Sequence, residues 1–279
     1  MSTATATPHL GATSGPTMTG LVRSELRKVT STRLWWGMLI GLAFFTAVQA
    51  VAVAATSGTT PGAGQPATPG LETAEAVRSI YAGSLFSGSY IFALVLGITG
   101  MTGEFRYQTI TPTFLVTPRR HRVVVAKMLA HLLVGAGYAV AALLVALVAG
   151  GVTMTVRGAG LGYGADGLWR AVALAVLAVA LWTLLGIGIG TLVRNQVAAI
   201  LLAVAVTFLV EPLATFLLAA VDLDAVVKWL PTNASAALTS PGDAFLDYLD
   251  WWAGGLVLLG YAALFGALGL LLSVRRDVS

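Results

Sequence analysis

Long uncharged stretches dominate this sequence, and they limit its fold more than any other feature. Hydrophobic residues make up 57% of the 279 positions and charged residues only 10%, whereas soluble domains carry about 25% charged residues. A helix that crosses a membrane needs roughly 20 consecutive apolar residues. A soluble domain could not bury several such segments, so the sequence predicts an integral membrane protein. Six windows qualify, at about 34–56, 82–102, 123–150, 171–193, 197–220 and 251–273.

The spanning segments are predicted to be α-helices. Backbone groups inside a bilayer must satisfy their own hydrogen bonds, which leaves helices or a closed β-barrel. Barrel strands alternate apolar and polar residues, but runs such as VAALLVALVAG (140–150) are continuously apolar. We therefore expect an all-α membrane protein with one six-helix domain over residues 34–279.

The residues before the first window divide into two parts. Residues 1–17 are small and polar, without the basic start and long apolar run of a signal peptide, and we predict a disordered tail. Residues 18–33 fit an amphipathic helix lying along the inner membrane surface, although a simple basic anchor is an alternative. In this segment Arg23, Arg27 and Lys28 oppose an apolar stripe formed by Met18, Leu21, Val22, Leu26 and Val29.

Loop charges predict the orientation. With six spans, both termini share a side with the loops after the second and fourth spans, and this side carries twelve basic and three acidic residues. The opposite side carries four basic and eight acidic residues. Cytoplasmic loops are enriched in Lys and Arg, so both termini are predicted to be cytoplasmic. The net positive charge of the chain thus reflects its predicted membrane topology. Nucleic-acid binding would instead need a basic face on a soluble domain. The chain has no cysteine, which excludes disulfides and thiolate metal sites.

The stretch EFRYQTITPTFLVTPRRHR, from Glu104 to Arg122, is a polar and basic interruption between the second and third windows. Thr111 and Pro112 form a helix-start pattern, because Thr caps free amides and Pro suits the first turn. Pro118 ends this short helix, since the residue before a proline avoids the helical region. The loop is therefore predicted to be compact. Its aromatic and apolar side chains fit a docking contact with another protein, or alternatively an interfacial loop in the lipid headgroups.

Several motifs along the chain carry a family resemblance. They are EFRYQTITPTFLVTPRRHRVVVAKML, GTLVRNQVAAI, FLVEPL and the later WLP…ASAAL. In this order and spacing they resemble the permease subunits of type-2 ABC transporters, in the form common in high-GC bacteria, from near Leu21 to the C-terminus. The resemblance implies a six-helix permease domain, cytoplasmic termini and an N-terminal interfacial helix.

The resemblance also assigns a role to the first cytoplasmic loop. In this family the loop between spans two and three carries a short coupling helix that docks in the ATPase subunit. Gln108 stands where the family often has glycine. The residues implied to form this ATPase-coupling loop are Glu104, Phe105, Arg106, Tyr107, Thr111, Pro112, Phe114, Leu115, Arg119 and Arg120.

The function implied is the membrane half of an ATP-driven exporter in a bacterial plasma membrane. The chain has no phosphate-binding glycine loop, so ATP and Mg²⁺ are expected on a separate ATPase subunit, with no enzyme activity and no cofactor on this chain. Six helices rarely enclose a pathway alone, so a second permease copy is expected, as a homodimer. The cargo implied is a drug-like, peptide or lipidic compound.

Charged residues inside the windows bear on the alternatives. An ion-gradient-driven secondary transporter usually carries ionisable groups within its helices, and here only Glu211 and His131 stand there. An intramembrane enzyme lacks paired ligands or a second acid, and a non-transporting anchor or sensor remains open. Glu211 either lies at a helix break caused by Pro212, bonded to freed amides, or belongs to the translocation path or outer gate. His131 is expected to pack against a neighbouring helix.

Overall fold

The computed structural model describes residues 17–60, 67–109, 120–239 and 249–276. Over these ranges the chain is helical and forms no strand, which confirms the all-α prediction. Six spans are long and apolar enough to cross a membrane, as expected. They are Leu34–Thr56, Ala74–Arg106, Arg122–Val156, Leu168–Leu192, Gln196–Ala219 and Trp251–Gly269.

The α-helices are numbered in chain order. α2 forms the first span, α3 to α5 the second, α6 the third, α7 the fourth, α8 and α9 the fifth, and α12 the sixth. Their bounds are α1 Met18–Ser31, α2 Leu34–Thr56, α3 Ala74–Arg78, α4 Ser84–Phe86, α5 Tyr90–Arg106, α6 Arg120–Val156, α7 Leu168–Leu192, α8 Gln196–Ala205, α9 Glu211–Ala219, α10 Asp224–Val227, α11 Pro231–Thr239 and α12 Trp251–Arg276.

Short polar side chains mark where several helices begin. The Thr17 hydroxyl accepts a hydrogen bond from the amide of Gly20 at the start of α1. Asn195 does the same for Ala198 at the start of α8, at 3.1 Å. Such caps satisfy amides that have no partner within the helix. They explain why the fifth span follows the fourth after only a tight turn.

The second span is longer and less regular than its hydropathy window. It begins at Ala74, ahead of the window at 82. The uncharged window misses this first part because α3 contains the exposed charged residue Glu75, although its neighbour Ala76 is buried. A π-helical segment, Ser79–Gly83, follows α3. A turn at Gly88, whose φ is +78°, then separates α4 from α5. The apolar composition gave no sign of either interruption.

The fifth span contains a second π-helical segment, Val206–Val210, between α8 and α9. The amide of Glu211 donates to the carbonyl of Val206, five residues back. Pro212 has no amide hydrogen, so the carbonyl of Phe208 lacks its α-helical partner, and the wider turn lies just before this gap. The kink predicted at Pro212 is therefore a π segment that leaves the two halves of the span in different surroundings. α8 packs on α5 and α7, whereas α9 lies chiefly against α10.

α7 is the centre of the bundle and packs on α5, α6 and α12. Glycines allow the closest approach. A methyl group on Gly186 would lie 2.1 Å from the carbonyl oxygen of Leu94, and one on Gly97 would lie 2.1 Å from that of Thr183. The two backbones are thus in direct contact, as small residues allow in membrane helices.

α11 is inserted into the bundle between the fourth and sixth spans. Its residues Ala234, Ser235 and Leu238 are fully buried. The indole nitrogen of Trp182 donates to the Ser235 hydroxyl at 2.8 Å. The small residues of ASAAL let α11 fit between α7 and α12.

Candidate functional site

The structure describes only part of the predicted ATPase-coupling loop. Glu104, Phe105 and Arg106 end α5, and Tyr107 follows it. Arg120 is described as the first residue of α6, without its side chain. The coupling helix therefore stays a prediction. The predicted residues that lie outside the described ranges are Thr111, Pro112, Phe114, Leu115 and Arg119.

The end of α5 has a defined geometry before the chain enters this loop. The amide of Thr109 donates to the carbonyl of Glu104 at 3.0 Å, and that of Gln108 donates to Phe105 at 3.3 Å. This pair of bonds is the Schellman motif, which places the residue after the cap in the left-handed region. Gln108 is that residue, with φ +54°. A glycine, as the resemblance leads one to expect here, would adopt this conformation without a Cβ penalty, and the described geometry holds it with a glutamine.

Four charged side chains meet where α1, the end of α5 and the start of α6 come together. Lys127 Nζ lies 2.5 Å from Glu25 Oε2 and 2.9 Å from Glu104 Oε1. Lys28 Nζ lies 2.6 Å from Glu25 Oε1 and 2.8 Å from Glu104 Oε1. We call these four residues the charge cluster, and this end of the bundle the α1 end. Two carboxylates and two ammonium groups therefore balance one another.

The charge cluster is mostly buried. Glu25, Glu104 and Lys127 are at most 7% exposed, whereas the Lys28 side chain is 41% exposed. Lys127 uses all three of its donors, because it also reaches the carbonyl of Gly100 at 3.2 Å. Burial alone would lower the pKa of Lys28, but its bonds to Glu104 and Glu25 outweigh this and raise the pKa. Removing one member of a buried pair leaves an unpaired charge, which costs about 3–5 kcal/mol.

The sequence gives these residues separate roles. The resemblance assigns Glu104 to the ATPase-coupling loop, and Lys127 is one of the basic residues on the predicted cytoplasmic side. The structure instead buries Glu104 against α1 and α6. One signal was present in the sequence: Glu25 lies between Val22 and Val29 at helical spacing, on the side of α1 that is otherwise apolar. An acidic residue within an otherwise apolar stripe indicates that a buried basic residue pairs with it.

Aromatic and arginine side chains surround the charge cluster at the α1 end. The Arg194 guanidinium, in the turn between the fourth and fifth spans, lies 5.3 Å from the ring centre of Phe105. Arg106 lies 5.7 Å from the ring of Tyr107, which is 70% exposed. These distances are in the range of cation–π contacts. The last turn of α5 is thus connected to the fifth span as well as to α1 and α6.

His131 lies one turn beyond Lys127 on α6 and is buried. Its Nδ1 is 3.0 Å from the carbonyl of Lys127, and its ring packs directly on Gly100, where a methyl group would meet Nε2 at 2.0 Å. The expectation that His131 packs against a neighbouring helix is confirmed. It fixes the distance between the second and third spans beside the charge cluster.

Glu211 lies in the fifth span, away from the α1 end, and is 5% exposed. Its Oε2 accepts hydrogen bonds from the amide of Thr232, at 2.9 Å, and from the Thr232 hydroxyl. One turn further along α9, Thr215 accepts from the Asn233 side chain at 3.1 Å. Glu211 thus lies at a helix irregularity and is bonded to the free N-terminus of α11, as one of its two predicted roles requires. These bonds tie the fifth span to the inserted helix.

The chain was compared with known proteins. No curated protein matches it. Residues 21–210, more than half of the chain, match the family described as "ABC-2 family transporter protein". The matched segment contains α1 from Leu21 onward, the first four spans, the whole charge cluster and the fifth span to the end of its π segment. The chain belongs to the ABC-2 family of transporter proteins.

Proposed function

We propose that this protein is the membrane half of an ATP-driven exporter whose energy comes from a separate ATPase subunit. Membership of the ABC-2 family supports a membrane permease of an ABC transporter. The charge cluster is the observation that supports energy transfer at the α1 end. It bonds α1 to α5 and α6, the two helices that lead into and out of segment 110–119.

The contacts of the charge cluster indicate how a displacement of segment 110–119 would be transmitted through the membrane domain. α5 ends in the fixed Schellman turn at Gln108, so movement of the loop acts on a rigid helix end. Glu104 transmits this movement to Lys28 of α1 and to Lys127 of α6. Phe105 carries it to Arg194, at the start of the fifth span. Four parts of the membrane domain would therefore respond together to one docked helix.

The remaining parts of the proposal follow from this arrangement. The ATPase subunit binds ATP and Mg²⁺, and no cofactor is assigned to this chain. A second permease copy completes the pathway, with both termini cytoplasmic in a bacterial plasma membrane. The fifth span supports pairing, because its outward apolar side chains are more than half exposed in the single chain. They include Val197, Leu201, Leu209 and Phe216.

Co-expression with the ATPase tests the proposal. Phe114→Asp puts a charge at the predicted docking position, where a buried Phe contributes about 1.5–3 kcal/mol, and should abolish co-purification of the ATPase without loss of membrane insertion. Leu223→Asp is the matched control, since it places Asp at an exposed cap position at the start of α10, away from the α1 end. Normal ATPase capture by the Phe114 variant would leave this loop as a headgroup anchor only.

The energy source is tested in vesicles that contain both subunits. Transport should require ATP at the face that carries the α1 end and should persist when an uncoupler collapses the proton gradient. Transport without ATP that the uncoupler abolishes would instead identify an ion-gradient-driven carrier.

A further inference from the structure

The buried carboxylates of this protein differ in how their charge is balanced. Glu25 and Glu104 each contact two lysines in the charge cluster. Glu211 is equally buried, but none of the described residues forms an ion pair with it. Its bonds come from neutral donors of Thr232. An ionisable group inside a membrane span is costly and usually marks a functional site with a partner.

The two oxygens of this carboxylate are used unequally. Both hydrogen bonds from Thr232 reach Oε2, and within the described ranges no donor reaches Oε1. A carboxylate has room for about two further bonds at its second oxygen. Glu211 therefore has the capacity to accept a cation without giving up its bond to α11.

Aromatic side chains cluster near the π segment that precedes this carboxylate. Tyr261 packs against the buried group that contains Tyr90 and Trp182, and Phe208 stands three residues before Glu211. The ring of Tyr90 lies 4.3 Å from that of Trp182 and 6.4 Å from that of Phe208, centre to centre. Phe86 stacks on Tyr90 at 4.6 Å. Faces of such rings attract organic cations, most strongly where water is excluded.

Part of this group lies at the surface of the single chain, although Glu211 and Tyr90 are buried. Phe208, one turn before Glu211, is 51% exposed, and Tyr261 is half-buried. The inward side of the fifth span is also polar here, since Thr207 and Thr215 flank Glu211 at intervals of four residues.

From these observations we propose that Glu211, Tyr90, Phe208 and Tyr261 bind the positively charged group of the cargo, which makes lipophilic organic cations the substrate class. The carboxylate supplies the counter-charge, and the rings supply cation–π and apolar contact. This inference rests on the proposed function as a permease. Glu211 and Tyr261 lie beyond the matched family segment, which ends at residue 210.

Binding of two ions of similar size, shape and hydrophobicity but opposite charge tests the proposal. The full chain is placed in nanodiscs without ATPase, and equilibrium dialysis measures tetraphenylphosphonium and tetraphenylborate, with empty nanodiscs as background. We expect saturable binding of the phosphonium and none of the borate. Glu211→Gln should weaken phosphonium binding at least roughly tenfold, because it removes the counter-charge. Phe208→Leu should weaken it roughly threefold to tenfold, because it removes one ring face.

The control variant is Glu75→Gln. It removes the same charge from an exposed position on α3 and should leave phosphonium binding unchanged. Equal affinity of wild type and Glu211→Gln, saturable borate binding, or absence of saturable phosphonium binding would each overturn the proposal. If Glu211→Gln does not fold, unchanged affinity in Phe208→Leu overturns it instead. Because the assay contains no ATPase, a negative result with normal ATPase co-purification rejects the cation site and leaves the proposed function standing.

Discussion

Lys127 Nζ lies 2.5 Å from Glu25 Oε2, although 102 residues separate them in the sequence. The same ammonium group contacts Glu104 and the carbonyl of Gly100 in the second span. One buried lysine thus joins α1, the second span and the third span. α1 is therefore a bonded part of the bundle, and its position depends on a small number of charges.

Single substitutions in the charge cluster should destabilise the protein more than a matched double substitution. Glu104→Gln or Lys127→Met alone leaves an unbalanced buried charge and should destabilise the protein by about 3–5 kcal/mol. The double variant retains Glu25 with Lys28, a balanced pair within α1, and should be much closer to wild type. Thermal unfolding of the purified variants measures this. Exposed Arg27→Gln on the same helix is the control, expected within about 0.5 kcal/mol; additive losses in the double variant would contradict the prediction.

The same double variant should separate folding from energy transfer. It removes every ion pair that the described residues form between α1 and the bundle, while segment 110–119 keeps its sequence. We expect ATPase co-purification to persist and ATP-driven transport to fall several-fold. Transport at the wild-type rate would show that the charge cluster is purely structural.

Adding one methyl group at the contact between the second and fourth spans should be destabilising. In Gly186→Ala the new Cβ would lie 2.1 Å from the Leu94 carbonyl oxygen, so the helices must separate, at a cost of about 1–3 kcal/mol. Gly137→Ala on α6 is the matched control, because its Cβ would meet nothing within 4 Å, and should be neutral or stabilising by up to about 1 kcal/mol. The difference in unfolding temperature between the two variants is the measurement.

The end of α5 should respond to backbone preference at Gln108. Glycine has no Cβ penalty at φ +54°, so Gln108→Gly should stabilise the protein by up to about 1 kcal/mol. Gln108→Val should destabilise it, since β-branched residues rarely adopt this conformation. Thermal unfolding compares the two, and the opposite order would mean that the Schellman turn does not persist in the membrane.

Cysteine labelling in intact cells should give the orientation. The chain has no cysteine of its own, so single cysteines report without background. Thr59→Cys and Asp224→Cys, both exposed at the end opposite α1, should react with a membrane-impermeant thiol reagent. Tyr107→Cys, exposed at the α1 end, should react only after the cells are broken. Labelling at position 107 alone in intact cells would invert the topology.

The spans were predictable because their signal is local. Twenty apolar residues in a row indicate a spanning helix wherever their neighbours lie, and all six were found. Their irregularities were less accessible, because a π segment such as Ser79–Gly83 depends on packing, which composition does not describe. Pro212 was the exception, since its missing amide hydrogen removes one hydrogen bond from inside an apolar span.

The polar contacts were predictable only in part, because each joins residues that are distant in the sequence. A carboxylate inside the fifth span was evident at Glu211, but its partner Thr232 belongs to a helix inserted 21 residues later. Glu104 looked like a loop residue because it stands beside Arg106 and Tyr107. Its burial results from α1 folding back over it, which no periodicity in either segment reveals.

The direct backbone contact at Gly97 and Gly186 also limits how the transporter can change shape. Sliding between helices needs a layer of side chains that can exchange rotamers, and here the carbonyl groups of one helix lie against the Cα atoms of the other. We therefore expect α5 and α7 to move as one rigid body during a transport cycle. The movement that opens and closes the pathway would then occur in the fifth span, with the π segment Val206–Val210 as its hinge.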